Sequence, residues 1–214
     1  YLLFVDSDCI VPEGFLKRYL RYCACNCVVV GGLVYPPRPQ DRKLRLRWKV
    51  GVRREQRSLE ERRSKPYVSF LSSNFLIDRS LFGDHCFNND LSNYGHEDTL
   101  FGYNLSTHGL EITHIENPVI HIGLDSADVY LRKIKESTGN LLYFWEQGYD
   151  ISPFRVLCAF SRIKKLGLAG PFAALFNMLR VPIYMALTGC CPSLFLLDVY
   201  KLGLFCLAWR QSKK

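Results

Sequence analysis

Two aspartates one residue apart, Asp6 and Asp8, directly follow the apolar run Tyr1-Leu2-Leu3-Phe4-Val5. Carboxylates so placed can converge on one cation, and hard oxygen donors suit Mg2+ or Mn2+, ions that in turn grip a diphosphate. Asp-x-Asp alone is a weak signal, because Asp and Ser are common in loops and helix caps. A second acidic pair stands in the block Tyr94-Gly95-His96-Glu97-Asp98-Thr99-Leu100-Phe101-Gly102. Acids at a helix start complement the helix dipole, and the same placement keeps a carboxylate fixed and ionised, as a general base for a hydroxyl must be. The third feature is Asn117-Pro118-Val119-Ile120-His121-Ile122-Gly123, where a neutral His121 imidazole can complete a metal shell.

The elements around these residues alternate as in an α/β domain. The opening apolar run reads as a fully buried strand that delivers Asp6 and Asp8 at its C-terminal end. Pro12-Glu13-Gly14 leads into a helix over 15–20, and residues 27–35 form a second strand, ended by Pro36-Pro37-Arg38-Pro39. Residues 67–77 read as one strand broken by Ser72-Ser73-Asn74, a pattern suited to lining a site. A helix over 99–108, a strand over 111–122 carrying His114 and His121, and an amphipathic helix over 127–145 follow. Two uncharged stretches, 166–179 and 181–197, then meet at Arg180. Each is short for crossing a bilayer and is disrupted by Pro171, Pro182 or Pro192, so insertion in the membrane plane is the expectation, with a buried helical cap as the alternative. Basic residues at Arg162, Lys164, Lys165, Arg210, Lys213 and Lys214 flank the block. The expected division is 1–150 and 151–214.

The formal charge of +8 gathers in one stretch, residues 41–65, with eleven Lys or Arg against four Asp or Glu. Such a run can meet phosphates, anionic lipid or nucleic acid, and is as often a solvated face. Nine cysteines, an odd number scattered through apolar runs, point to reduced thiols rather than a secreted disulfide framework. Cys23, Cys25 and Cys27 alternate, but no partner pair with zinc-like spacing follows. An apolar content of 48% excludes a disordered chain.

The ordered set of apolar strand to Asp6-x-Asp8, Tyr94-Gly95-His96-Glu97-Asp98 and Asn117-Pro118-Val119-x-His121 resembles the family 2 glycosyltransferases of GT-A fold, in versions from Bacteroidetes-like bacteria. The resemblance covers residues 1–142. It implies a GT-A-like mixed sheet flanked by helices, with an apolar helical region at the C-terminal end. It further implies an inverting enzyme that moves a sugar from a nucleotide-sugar donor to an acceptor hydroxyl, in envelope polysaccharide or glycolipid synthesis. By that likeness Asp8 holds Mg2+ or Mn2+ on the donor diphosphate, with Asp6 near the donor's ribose or the metal and His121 a candidate third ligand. Asp98 is then the base, Glu97 orients the acceptor, and Ser73 and Asn74 line the sugar pocket. The family's nucleotide-binding strands precede the Asp-x-Asp, so the likeness implies that the N-terminal part is missing, that this stretch alone lacks turnover and that an apolar sheet edge is exposed. Its implied place is peripheral, on the cytoplasmic face of the bacterial inner membrane. A haloacid-dehalogenase-like reading of the same acids fits poorly, since Val11 is one position out of register. Two alternatives stay open: a basic module binding lipid or nucleic acid, the latter disfavoured by only Trp48 and Tyr67 for base stacking, and a glycosyltransferase-like scaffold without turnover.

Overall fold

The computed structural model describes residues 1–23, 27–84 and 95–213. Tyr94 and Cys25, named in the motifs above, lie outside them. The described residues fall into two compact units. One takes those of Tyr1–Arg38, Val50–Asn89 and Glu97–Leu124, and the other those of Pro39–Lys49, Asp90–His96 and Asp125–Lys214. The division therefore lies at Leu124 and not at 150, because the long helix after Ser126 packs on the C-terminal helices.

The first unit is mixed α/β. Its strands are β1 (Leu2–Val5), β2 (Cys9–Ile10), β3 (Val28–Val30), β4 (Leu33–Val34), β5 (Asn74–Ile77), β6 (Ile112–His114) and β7 (Val119–His121). They form two sheets, ordered β1-β5-β3-β6 and β2-β7-β4, each with parallel and antiparallel pairs. β1 occupies a sheet edge and is half-buried throughout, not fully buried as its apolar run suggests. Among the described residues it pairs on one side only, with β5.

Three expected strands are shorter or divided. Residues 27–35 split into β3 and β4, which belong to different sheets. Residues 67–73 are turns, so Ser72 and Ser73 precede β5 and only Asn74 begins it. The stretch 111–122 breaks at Glu116-Asn117-Pro118 into β6 and β7, again in separate sheets, where proline cannot donate to a ladder.

Helices α1 (Phe15–Leu20), α3 (Leu59–Ser64), α4 (Arg79–Asp84) and α5 (Glu97–Thr107) flank these sheets. Ser58 and Glu61 close a capping box on α3. Phe101 and Leu105 of α5 join Val28, Val30, Phe75, Ile77 and Phe70 in the core, with Phe70 and Phe101 stacked at 5.0 Å. Gly102 lets the helix close on the loop before β5: a Cβ there would stand 2.5 Å from the Tyr67 carbonyl oxygen. Burying these rings stabilises α5 by about 2 kcal/mol for each large side chain, and so fixes the position of its first turn.

The second unit is helical, with most of α2 (Arg45–Val50), then α6 (Ala127–Glu146), α7 (Arg155–Lys165), α8 (Ala169–Thr188) and α9 (Leu194–Ser212). α8 is continuous through both Arg180 and Pro182, contrary to the expected interruption. Pro171 falls in its first turn, where a missing N–H costs nothing, and Pro182 removes one interior hydrogen bond without ending the helix. By length and composition α8 is the one helix among the described residues able to cross a membrane.

Candidate metal and acid-base site

The edge strand β1 ends at Val5 and hands the chain to a tight turn in which Asp6 N–H donates to the Ser73 carbonyl and Cys9 N–H to the Asp6 carbonyl. The turn returns the backbone as β2, which pairs antiparallel with β7 so that Cys9 faces His121, and Ile122 N–H donates to the Asp8 carbonyl. Two segments more than a hundred residues apart are thereby held in register. Asp6, Asp8 and His121 each present a donor atom, all within 4.8 Å of one another, and His121 Nε2 lies 3.6 Å from Asp8 Oδ2.

That spacing suits one small cation, whose ligands stand at most about 4.2 Å apart when each is near 2.1 Å from the ion; a sub-ångström contraction closes the gap. Two carboxylates with an imidazole form a donor set accepted by Mn2+ and, through its oxygens, by Mg2+. A further observation agrees. His121 is buried, yet its Nδ1 has no hydrogen-bond partner and its Nε2 is too far from Asp8 for a direct bond. Like-charge crowding is visible too, since burial and then the neighbouring Asp8 raise the Asp6 carboxyl above its usual range, partly relieved by His121. The Cys9 thiol is pushed up to about 12 by burial and the two aspartates, so it remains protonated beside them.

Asp98 comes from the first turn of α5, where Glu97 and Asp98 are the acidic residues. The backbone N–H of Ser72 donates to Asp98 Oδ1 at 3.2 Å. Burial pushes Asp98 up to about 6; the Ser72 contacts oppose that rise, while Glu97 and Asp6 add to it. Of the expected metal ligands, Asp6 alone adds to this rise, and it is the smallest contribution. His96, the residue before Glu97, belongs to the helical unit, where its ring meets Phe154 edge-on and burial pushes it down to about 4.

Ser73 and Asn74 are placed differently. Asn74 is fully buried, with its amide nitrogen donating to the Gly32 and Asn117 carbonyls and its oxygen accepting from the Tyr19 hydroxyl. It braces the crossing of β3, β5 and the 117 bend. The Ser73 hydroxyl is buried without a partner, against a narrow cleft beside Gly32, Glu55 and Arg62 that has no room for a water. His114 is likewise structural: Nδ1 accepts from Arg62, and Nε2–H donates to the Pro66 carbonyl. Within the basic run, Arg62 is buried on the Val30 and Ile115 carbonyls, Arg63 donates to the His114 carbonyl and Arg57 to the Val68 carbonyl and Ser69.

Three contributors escape a reading of the sequence. Tyr35 lays its ring 5.3 Å from that of His121 and donates its hydroxyl to Glu55, on the π-helical turn Gly51–Glu55. Gly123 leaves the space that the Asp8 carboxylate fills, and Ser72 supplies the N–H that holds Asp98. Gly123 closed the His121 motif and Ser72 stood in the polar break at 72–74, but neither feature told the role found here.

No family model matches the chain, and neither a curated protein nor a solved structure matches it. The functional reading therefore stands on the geometry and on the sequence resemblance alone.

Proposed function

We propose that this chain is the metal- and acceptor-binding part of an inverting glycosyltransferase of GT-A, family 2 type, transferring a sugar from a nucleotide-sugar donor to an acceptor hydroxyl. Envelope polysaccharide or glycolipid is the proposed product class. The observation that carries the reading is the grouping of Asp6, Asp8 and His121. In this reading three acids and a histidine drawn from three separate motifs would supply the cation ligands and the proton acceptor that the transfer needs.

Asp6, Asp8 and His121 would hold Mg2+ or Mn2+, which would supply positive charge to offset that on the departing nucleoside diphosphate. Asp98 accepts the proton of the acceptor hydroxyl while that oxygen bonds to the anomeric carbon. The bond from this carbon to the diphosphate oxygen breaks, and its electron pair leaves with the diphosphate. A carboxylate at about 6 is mostly ionised near neutral pH yet more basic than an ordinary aspartate, which suits a general base. Ser72 orients that carboxylate and Glu97 is placed beside it to meet the acceptor. A nucleic-acid module built on the basic run is less favoured, because Arg62 is buried in the fold and Arg57 and Arg63 are committed to backbone carbonyls.

The test supplies a panel of nucleotide sugars with Mn2+ to the protein as encoded and follows nucleoside diphosphate release. Asp8→Asn and Asp98→Asn are each expected to lower release on the order of a hundredfold or more. Only Asp8→Asn should weaken Mn2+ binding measured by electron paramagnetic resonance. Equal release by wild type and both variants would remove the proposed roles.

A further inference from the structure

The helical unit holds most of the chain's positive charge: residues 39–49, 90–96 and 125–214 carry seventeen Lys or Arg against eight Asp or Glu. It also carries the most continuous exposed apolar face among the described residues. Along α8, Leu175, Met178, Leu179, Val181 and Met185 are exposed, Met178 at 78% and Met185 at 66%. Spacings of three and four place Leu175, Met178, Pro182 and Met185 in one stripe along the helix. The opposite side, Ala173, Phe176 and Leu187, is buried within the unit, where α8 packs on α9. No charge interrupts the outer stripe. Arg180, the one charged residue of α8, is exposed, but helical spacing sets it on the side of Ala173, Phe176 and Leu187, opposite the stripe.

Both ends of this stripe are basic. At the start of α8, Lys164 stands over the rings of Trp145 and Trp209, at 4.7 and 5.5 Å, and Lys213 over Trp209 at 5.6 Å, with Arg162, Lys165 and Arg210 exposed nearby in sequence. At its other end Arg45 donates to the Cys190 carbonyl and Lys49 to the Pro192 carbonyl, which anchors the segment bearing exposed Arg42 and Lys43. Indoles and ammonium groups together favour the boundary between headgroups and acyl chains, and paired basic clusters match anionic headgroups.

We infer that the helical unit docks on an anionic lipid bilayer, with α8 lying in the membrane plane, its outer stripe among the upper acyl chains and the two basic ends on headgroup phosphates. Crossing the bilayer is ruled against by packing. α6, α7 and α9 are packed together with α8, and exposed Arg132, Lys135, Glu136 and Arg162 on the neighbouring helices would be carried into the hydrocarbon. A second copy of the chain is a poorer occupant, because two such basic ends would repel. The inference uses the surface of this unit alone and holds whichever reaction the acidic site performs.

Flotation of the whole chain with phosphatidylcholine vesicles, with and without phosphatidylglycerol, tests it. Binding is expected only with phosphatidylglycerol, lost in Met178→Glu/Met185→Glu and weakened on the order of tenfold in Lys164→Glu/Lys165→Glu or by raised salt. These substitutions fall on exposed positions, so circular dichroism should be unchanged. Nitroxides at Ala174→Cys, Met178→Cys and Met185→Cys should report one shared shallow depth. Equal binding to neutral vesicles, undiminished binding by the methionine variant, a depth maximum at the middle label, or a stable dimer abolished by the same methionine changes would each overturn the inference.

Discussion

Gly123 stands where Asp8 needs space: a Cβ at 123 would come within 2.6 Å of the Asp8 Cγ and overlap its carboxylate oxygen. The carboxylate can rotate away, but the Asp8 Cβ, also 2.6 Å from that position, cannot, so the backbone beside it must shift as well. Gly123→Ala is expected to cost roughly 1–3 kcal/mol of thermal stability as the crowded backbone gives. Metal affinity should fall about tenfold or more, because the third donor no longer points at the others. Mn2+ titration followed by electron paramagnetic resonance, beside a melting curve, separates the two effects. Unchanged affinity would show that the position of Asp8 does not matter to the ion.

Asp98 gives the molecule a signed pH dependence. Its folded-state value, about 6, lies above that of an ordinary aspartate, so the native state holds the proton more tightly than the unfolded chain. Its contribution to stability is fully present below about pH 4 and is lost as pH rises through 6. Asp98→Asn keeps the acceptor for Ser72 N–H but cannot ionise. Relative to wild type, it should therefore gain on the order of 2 kcal/mol at neutral pH and nothing at pH 4, read from denaturant midpoints. Transfer, if Asp98 is the base, should rise in wild type through an apparent pKa near 6. Saturating Mn2+ should move that limb downward by neutralising Asp6.

The parts of this site that the sequence reveals are those whose chemistry is local. Asp6-x-Asp8 follows an apolar strand, Glu97-Asp98 opens a helix, and both features depend on neighbours a few residues away. His121 was identifiable only as the third member of an ordered set. The sheet division was not legible, because Val28–Val30 and Leu33–Val34 form one β-branched run in sequence but pair with different partners once Gly31 and Gly32 turn the chain. Ser72 illustrates the same limit: it matters through a backbone N–H, which every residue but proline possesses. α8 misled for another reason, since Pro182 costs one hydrogen bond while the packing of Phe176 and Leu187 outweighs it.

Asn74 separates the fold from the site. Removing its amide in Asn74→Ala would leave the Tyr19 hydroxyl and the Gly32 and Asn117 carbonyls without this partner in a buried region. Each orphaned group costs roughly 1–3 kcal/mol, so a loss of about 3 kcal/mol or more is expected in chemical denaturation. Below the transition, Mn2+ affinity should be unaffected, as no ligand touches Asn74. A specific loss of ion or nucleotide-sugar binding with stability preserved would instead return Asn74 to the pocket lining.

Tyr35 tests how the imidazole is held. Its ring lies against His121, its hydroxyl is fixed by Glu55, its N–H donates to Gln56, and Gly51 lies so close that a Cβ would enter the ring. The π-helical turn thus grips the tyrosine from both ends, and the tyrosine limits how far His121 can rotate about its own side-chain torsions. Tyr35→Phe keeps the face on His121 and should hold Mn2+ affinity within about threefold, though it leaves Glu55 without that donor and costs stability of roughly 1 kcal/mol. Tyr35→Leu removes the flat contact and should weaken Mn2+ roughly tenfold, the lower end of what outer partners of a metal-binding histidine contribute. The split is the diagnostic result, because a purely structural tyrosine would lower stability in both variants and leave the affinity of the surviving folded fraction the same.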